Sequence, residues 1–378
     1  MRIAINTRFL LKNKLEGIGW FTYEVAKRLV EQHPEHEFIF LFDRPFDPAF
    51  LFGKNIIPVV LFPPARHPLL WVWWFEFAVT KALRKYRAAV FLSPDGYCAL
   101  RTAVPTVMVT HDVAHVHMRM QIPAKFRYYY DFFVPRYLKK AARIVTVSHF
   151  SKKDILQAFQ VSPGKISVAC NGVRADFQPL EESRQAMIRQ QYAAGQAYFL
   201  YVGAVHPRKN VHRLIQAFDI FKKKTKTATK LLIAGRFAWQ TGEVKTAYDL
   251  SDFKNDIIFL GYVPDEALPR LMGAALALVY VSLFEGFGVP LLEAMYCDVP
   301  IITSTTTSMP EIAGEAALFV NPLAVEEIAS AMQVISENPA LRQTLIEKGR
   351  VQRQPYNWQA ATDMVYQNLL LAIEQAKR

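Results

Sequence analysis

Two glutamates, Glu285 and Glu293, stand with seven residues between them in the stretch Glu285-Gly-Phe-Gly-Val-Pro-Leu-Leu-Glu293. An apolar run, Ala277-Leu-Val-Tyr-Val281, leads in, and a segment of helical character, 290–295, leads out. A strand, a glycine-containing loop and a helix in that order form an anion site, because free backbone N–H groups and the positive helix end face the ligand. Gly286 and Gly288 let the backbone approach closely. Two carboxylates beside a phosphate would repel it, so they suit sugar hydroxyls, which a carboxylate can accept in pairs. A phosphate flanked by hydroxyls describes a nucleotide sugar.

Three further loops carry candidate chemistry. Gly203-Ala-Val-His-Pro-Arg208-Lys209-Asn210 follows an apolar run at 198–202 and precedes a helical pattern from about 211. Arg208 and Lys209 beside a helix N-terminus oppose its dipole unless an anion lies between them. A bidentate guanidinium and a compact ammonium suit a diphosphate, although a basic surface pair has the same sequence appearance. His111-Asp112 follows the run 106–110 and suits hydrogen bonding to a sugar or handling of an acceptor proton. A histidine bonded within its own loop would look the same. His115 and His117 lack the spacing and the further ligands of a metal site. Glu16-Gly-Ile-Gly19 precedes a helical pattern over 20–32, and Gly19 there can approach a phosphate or sugar.

These loops need strands and helices to position them. Short apolar runs alternate with helical patterns along the chain, which predicts parallel α/β units. In the first half, strands are expected at 2–6, 38–42, 59–62, 90–92, 106–110, 144–147 and 166–168. In the second half they are expected at 198–202, 230–234, 257–259, 277–281, 299–303 and 317–319. Within the helix 20–32, Trp20, Phe21, Val25, Leu29 and Val30 share the apolar face, with Glu24, Lys27, Arg28 and Glu31 opposite. The division expected is a first α/β domain over 1–178, a polar connection over 179–197 with room for a short helix, a second domain over 198–356 and a terminal amphipathic helix over 357–378. Two such domains imply a cleft with ligands at the carboxyl ends of the strands.

The chain has 378 residues, is 52% hydrophobic and 13% aromatic, and carries a formal charge of +12. That composition indicates a large folded core and excludes disorder. Three scattered cysteines exclude a disulfide framework, and a reducing, cytoplasmic setting is expected. No apolar run reaches the roughly 18 residues of a membrane span. Nucleic acid is not expected as a partner, since no recognition motif is present. The charge together with Trp71, Trp73 and Trp74 fits peripheral contact with an anionic membrane, although tryptophans at this spacing also fit a helix core.

In these motifs the chain resembles a retaining glycosyltransferase with two Rossmann-like domains (the GT-B fold), in the family that carries the Glu-x7-Glu motif. Glu285 and Glu293 match that motif, and Thr303-Ser-Thr-Thr-Thr-Ser-Met-Pro-Glu311-Ile-Ala-Gly314, Val147-Ser148, Asn171-Gly172-Val173 and the Gly203 to Asn210 segment match in order. The resemblance implies that Glu285 contacts the donor sugar, that Glu293 contacts the ribose, and that Arg208 and Lys209 hold the diphosphate. It places Gly19 and the backbone of Gly286, Phe287, Gly288 and Val289 near the phosphates, and His111 or Asp112 on the sugar and acceptor side. It implies a sugar of the mannose or glucose type, a hydroxyl acceptor on a glycan or a lipid-linked carrier, and a role in surface-polysaccharide synthesis. No Asp-x-Asp occurs, which fits chemistry with no metal or other cofactor. Two residues depart from the pattern: Asp298 stands where a glycine commonly ends the Glu-x7-Glu helix, and Trp20 follows Gly19 where relatives often carry arginine. A glycoside phosphorylase or sugar-nucleotide epimerase of the same fold, or a sugar-nucleotide-binding subunit without turnover, are the alternative readings.

Overall fold

The computed structural model describes residues 1–237 and 242–377, so Arg378 of the expected terminal segment lies outside the described residues. The chain forms two compact units, one of residues 1–171 and 357–378, the other of residues 172–356.

The first unit is built on seven parallel strands: β1 (Arg2–Asn6), β2 (Glu37–Phe42), β3 (Ile56–Val60), β4 (Val90–Ser93), β5 (Thr106–Val109), β6 (Arg143–Thr146) and β7 (Ile166–Val168). Their order is β3-β2-β1-β4-β5-β6-β7. The second unit has six: β8 (Tyr198–Val202), β9 (Lys230–Ala234), β10 (Ile257–Gly261), β11 (Ala277–Tyr280), β12 (Ile301–Ser304) and β13 (Ala317–Val320). Their order is β10-β9-β8-β11-β12-β13. Helices on both faces cover the central strands, so Phe38 to Phe42 and Tyr198 to Tyr201 are buried throughout. That is why these strands read as unbroken apolar runs rather than alternating ones.

Each sheet reverses its strand order once, between β1 and β4 in the first unit and between β8 and β11 in the second. Loops leaving the two strands at such a point run to opposite sides, and the crevice they leave is where open α/β sheets take ligands.

Four expectations are corrected. The third strand lies at Ile56–Val60 and not at 59–62; Pro58 sits inside it, opposite Phe40, and is accommodated because β3 is the edge strand and its missing N–H breaks no ladder. The first helix starts at Gly17, and Glu24, expected on its solvent face, is buried and pairs with Arg28. The break between units falls after Asn171, and not at 178. The short helix expected in the polar stretch 179–197 is Glu182–Ala193, but the stretch belongs to the second unit and is not a connection, since Arg189 fastens the helix there through the Ala274 carbonyl at 3.0 Å. Polarity there reflects one solvated helix face, not a linker. The terminal helix, Trp358–Lys377, packs within the first unit: Phe21 meets Trp358 edge-on, and Arg143 donates to Asn368 Oδ1 at 2.9 Å.

Asp298 takes the left-handed conformation (φ 55°) in which glycine commonly follows a helix. Arg350 grips both its oxygens, at 3.1 and 2.5 Å. The turn is therefore kept, with an ion pair in place of conformational freedom. Substitution Asp298→Gly relieves about 1 kcal/mol of backbone strain and removes the ion pairs with Arg350 and Arg353, a small effect of opposite sign. Urea unfolding of this variant is expected to differ from the parent by less than about 1 kcal/mol.

Candidate active site

The residues at the β8–β11 reversal assemble around one carboxylate. After β8 the chain passes Gly203, makes a short turn at Pro207–Lys209, and enters the helix Val211–Thr225. After β11 it runs through Glu285 to Gly288 and enters the helix Val289–Tyr296. Arg208 Nη1 lies 2.9 Å from Glu285 Oε2, and Lys209 Nζ lies 2.6 Å from Glu285 Oε1. Arg208 also donates to the Phe284 carbonyl at 2.8 Å, and Lys209 to the Tyr280 hydroxyl at 2.7 Å. The anion that the basic pair requires is thus supplied in part by the protein itself.

Glu285 is buried, which alone would raise its pKa; the charges of Arg208 and Lys209 outweigh that and lower it to about 2. It is a fixed anion at any working pH, able to accept hydrogen bonds but not to act as an acid or base. His206, beside the pair, is pushed down to about 4 by burial and by the same two cations. Its neutral imidazole accepts from the Arg208 N–H at 3.3 Å.

Buried side chains pin both loops. Asn210, itself left-handed (φ 62°), donates to the carbonyls of Val281 at 3.0 Å and Pro322 at 2.6 Å. Ser308 Oγ donates to the carbonyls of Glu285 and Phe287, and Thr307 accepts from the Glu285 N–H. Gly288 is needed for its backbone (φ 96°). The helices Val211–Thr225 and Val289–Tyr296 have no side-chain cap at their N-termini; in the second, Pro290 has no N–H and the Leu291 N–H bonds to the Gly288 carbonyl, so the Val289 N–H is the one that suits a ligand.

Glu293 projects from the second turn of its helix and is part-buried. Burial raises its pKa to about 7, against the opposing charge of Arg174; Asp176 and Asp265 add to the rise. The two glutamates of the motif are therefore unlike: one is always ionised, the other is poised near neutrality.

His111 and Asp112 lie in the first unit, after β5. His111 Nε2 lies 2.8 Å from the Pro94 carbonyl, so it carries the proton and Nδ1 is left as an acceptor. Burial lowers the pKa of this imidazole. Asp112 Oδ1 accepts from the Ala114 N–H at 3.0 Å, a turn-forming role. Gly19 is buried, and a Cβ there would come within 2.9 Å of the Phe9 carbonyl. A glycine at 19 lets the backbone pass close to the Phe9 carbonyl, and Gly17 has open space around it.

One constellation was not legible in the sequence. At the β1–β4 reversal Asp95 accepts from Asn6 Nδ2 at 2.7 Å and Arg8 Nε at 2.5 Å, and all three are buried. Burial lowers the Arg8 pKa, but Asp95 overrides it and the guanidinium stays charged, 4.4 Å above the Tyr97 ring. A strand-end arginine followed much later by a strand-end aspartate was the available signal.

Among the described residues no helix is long and apolar enough to cross a membrane. Residues 184–352 match the family model described as glycosyl transferases group 1, and residues 15–177 that of glycosyltransferase family 4. The O-antigen chain mannosyltransferase B of Escherichia coli is 32% identical over 284 residues, which cover 74% of this chain and 74% of that protein. Two solved structures share the fold. WaaG, a glycosyltransferase involved in lipopolysaccharide biosynthesis, has a TM-score of 0.77 at 16% identity over 99% of this chain and 98% of its own. Anabaena HepE in complex with UDP and glucose has a TM-score of 0.75 at 16% identity, over 97% and 99% respectively.

The pinning role of Asn210 has a measurable consequence. Asn210→Ala leaves two buried carbonyls without donors and puts alanine in a left-handed conformation, and is expected to cost about 3 kcal/mol in urea unfolding. Asn210→Gly, which keeps the backbone but not the hydrogen bonds, is expected to lose most of that amount.

Proposed function

The chain belongs to the group 1 glycosyl transferases, and on that premise we propose that it moves a hexose from a nucleoside diphosphate sugar to a hydroxyl of a growing surface polysaccharide, with retention at the anomeric carbon and without a metal. Mannose is the first choice of sugar, since the relative with the highest identity reported above is named as a mannosyltransferase of the O-antigen chain. The observation that carries the chemistry is the triad Glu285, Arg208 and Lys209 beside two uncapped helix N-termini.

Charge builds on the diphosphate as its bond to the sugar breaks. Cations and N–H groups already fixed there stabilise that charge more than they stabilise the ground state, and they need no reorganisation. Arg208 and Lys209 would thus do what a divalent cation does in other transferases. Glu285, permanently ionised, would accept donor-sugar hydroxyls, and Glu293 the ribose hydroxyls. Gly203, Gly286, Phe287, Gly288 and Val289 would bring backbone close to the phosphates. Glu285, held ionised by two cations, cannot take up and return the acceptor's proton as a general base. Attack on the same face, with the departing phosphate oxygen taking the acceptor's proton, needs none. His111 Nδ1 is assigned to a sugar hydroxyl on the acceptor side. Peripheral contact with the inner face of an anionic membrane would place the enzyme near a lipid-linked acceptor.

Arg208→Ala or Lys209→Ala is expected to lower turnover by on the order of a hundredfold, as loss of one charge-stabilising donor does. The donor is found first, by thermal shift with GDP-mannose and UDP-glucose. Proton NMR of the fresh product, in the presence of EDTA, then reads the anomer. An inverted product, or a rate that collapses with EDTA, overturns the mechanism; turnover at the parent rate in either variant removes that residue from it.

Glu293 supplies a pH signature. Its pKa in the folded protein, about 7, lies above the ordinary value of 4.5, so the folded state holds the proton more tightly than the unfolded one. Stability is complete below the unfolded value and declines as pH rises from about 4.5 through 7. Relative to Glu293→Gln, the parent is expected to lose roughly 2 kcal/mol between pH 5 and pH 8 in urea unfolding. A flat difference would mean that Glu293 is ionised throughout.

A further inference from the structure

The positive charge of the chain is unevenly placed. The first unit holds 26 lysines and arginines against 14 aspartates and glutamates, and the second 19 against 19, so the whole excess of +12 lies on the first. The triad that would hold an anionic donor sits in the neutral second unit. The excess needs another explanation.

The same unit exposes apolar side chains at helical spacing. The segment 68–85 is continuously helical, with a π-turn at Trp74–Val79 between α-helical halves. Its inner face, with Trp74, Phe75, Val79 and Leu83, is core. Its outer face should be polar and is not: Leu69 is 75% exposed, Trp73 52% and Phe77 45%, and Phe62, shortly before it, 80%. Isolated exposed apolar residues mean nothing, but several on one stripe mark an interaction surface. Cations frame the stripe. Lys81 and Arg84 continue it outward, Arg101 lies 4.8 Å over the Phe77 ring, and Arg66 stands three residues before Leu69. Arg66 also lines an open groove of about 730 Å³ with Lys12, Lys14 and Arg44.

We propose that this outer face, Leu69, Trp73 and Phe77 with its basic frame, docks the first unit on an anionic lipid bilayer. Tryptophan and phenylalanine tips insert at headgroup depth, while the surrounding arginines and lysines meet anionic headgroups. The charge pattern selects this occupant. In a twofold dimer of this face, Arg66, Lys81, Arg84 and Arg101 of two copies would be brought together, like charge against like. A nucleic acid would match the cations but not the aliphatic Leu69 and Leu70. A neighbouring helix supports the assignment. Trp71 contacts the rings of Phe126 and Tyr129 on the helix Ala124–Lys140, whose exposed side includes Tyr128 and Phe132 beside Lys125, Arg136 and Lys139. The docking accounts for delivery to a lipid-linked acceptor in the function proposed above, but it stands or falls separately.

The test is co-sedimentation of the full chain with phosphatidylcholine vesicles, with and without phosphatidylglycerol, at low and high salt. Binding is expected only with phosphatidylglycerol and is expected to weaken as salt rises, with a blue shift of tryptophan emission. The double variant Leu69→Ser, Trp73→Ser, altered only at exposed positions, is expected to bind at least about tenfold more weakly while keeping donor binding and transfer to a lipid-free acceptor. Equal binding to neutral vesicles, no binding at all, or undiminished binding by the variant overturns the proposal. So does a concentration-dependent dimer, by light scattering, that the variant loses, since a second copy would then cover the face. Vesicle binding without transfer to any acceptor would sink the function proposed above and leave the docking intact.

Discussion

The second unit turns on one ion triad. Glu285 is buried between Arg208 and Lys209, the carboxylate coming from the loop after β11 and both cations from the loop after β8. Two cations crowded near a helix N-terminus repel each other and oppose the dipole; a buried carboxylate alone would be neutralised. Each arrangement is tenable only because the other is present. The loops must therefore hold their positions to a few tenths of an ångström, and Asn210, Ser308 and Thr307 do this by tying backbone groups rather than the charged ends. The guanidinium and ammonium are left oriented before any ligand arrives. A diphosphate entering there, as proposed, would compete with Glu285 for its two cations and free oxygens of Glu285 for hydroxyls. Donor binding would then be an exchange of partners, with little net burial of new charge.

Much of this was readable from the chain. Parallel strands buried on both faces appear as apolar runs, and the loops after them carry the candidate residues. Glu285, Arg208 and Lys209 were legible because each lies within one short loop next to its strand. What escaped was set by tertiary context. The third strand, expected from 59 on, includes Pro58, which its edge position permits. Glu24 looked solvated from its type, although Arg28 lets it be buried. Gly19 was legible as a glycine of close approach, but not that the Phe9 carbonyl is one of the groups it approaches. Asn6, Arg8 and Asp95 meet only because the strand order reverses between β1 and β4, a fact no local pattern contains.

The two units repeat one plan with different contents. Both place a charged cluster at the reversal of strand order, a buried Arg8–Asp95 pair in the first and the Glu285 triad in the second. The first pair is balanced: one cation, one anion and an aromatic ring closing over the guanidinium. It stiffens the strand ends and leaves no charge over for a ligand. The second is unbalanced by one positive charge, and open helix ends add to it. Among the described residues, the second crevice is the one whose charge suits the diphosphate proposed above.

Range separates local charge from the charge of the whole unit. At physiological salt, exposed charges act over about 8 Å. A small anion at the Glu285 triad feels Arg208, Lys209 and the helix ends, and hardly any surface lysine beyond them. A neutral second unit is therefore no obstacle to an anionic donor. By the same reasoning, an excess of +12 spread over the first unit cannot be gathered onto one small ligand. It can act together only on a partner that is itself extended and anionic, so that many weak contacts are made at once. Exposed Trp73 and Phe77 among those cations make such a partner a surface with an apolar interior beneath its charge, which a bilayer has and a polyelectrolyte lacks.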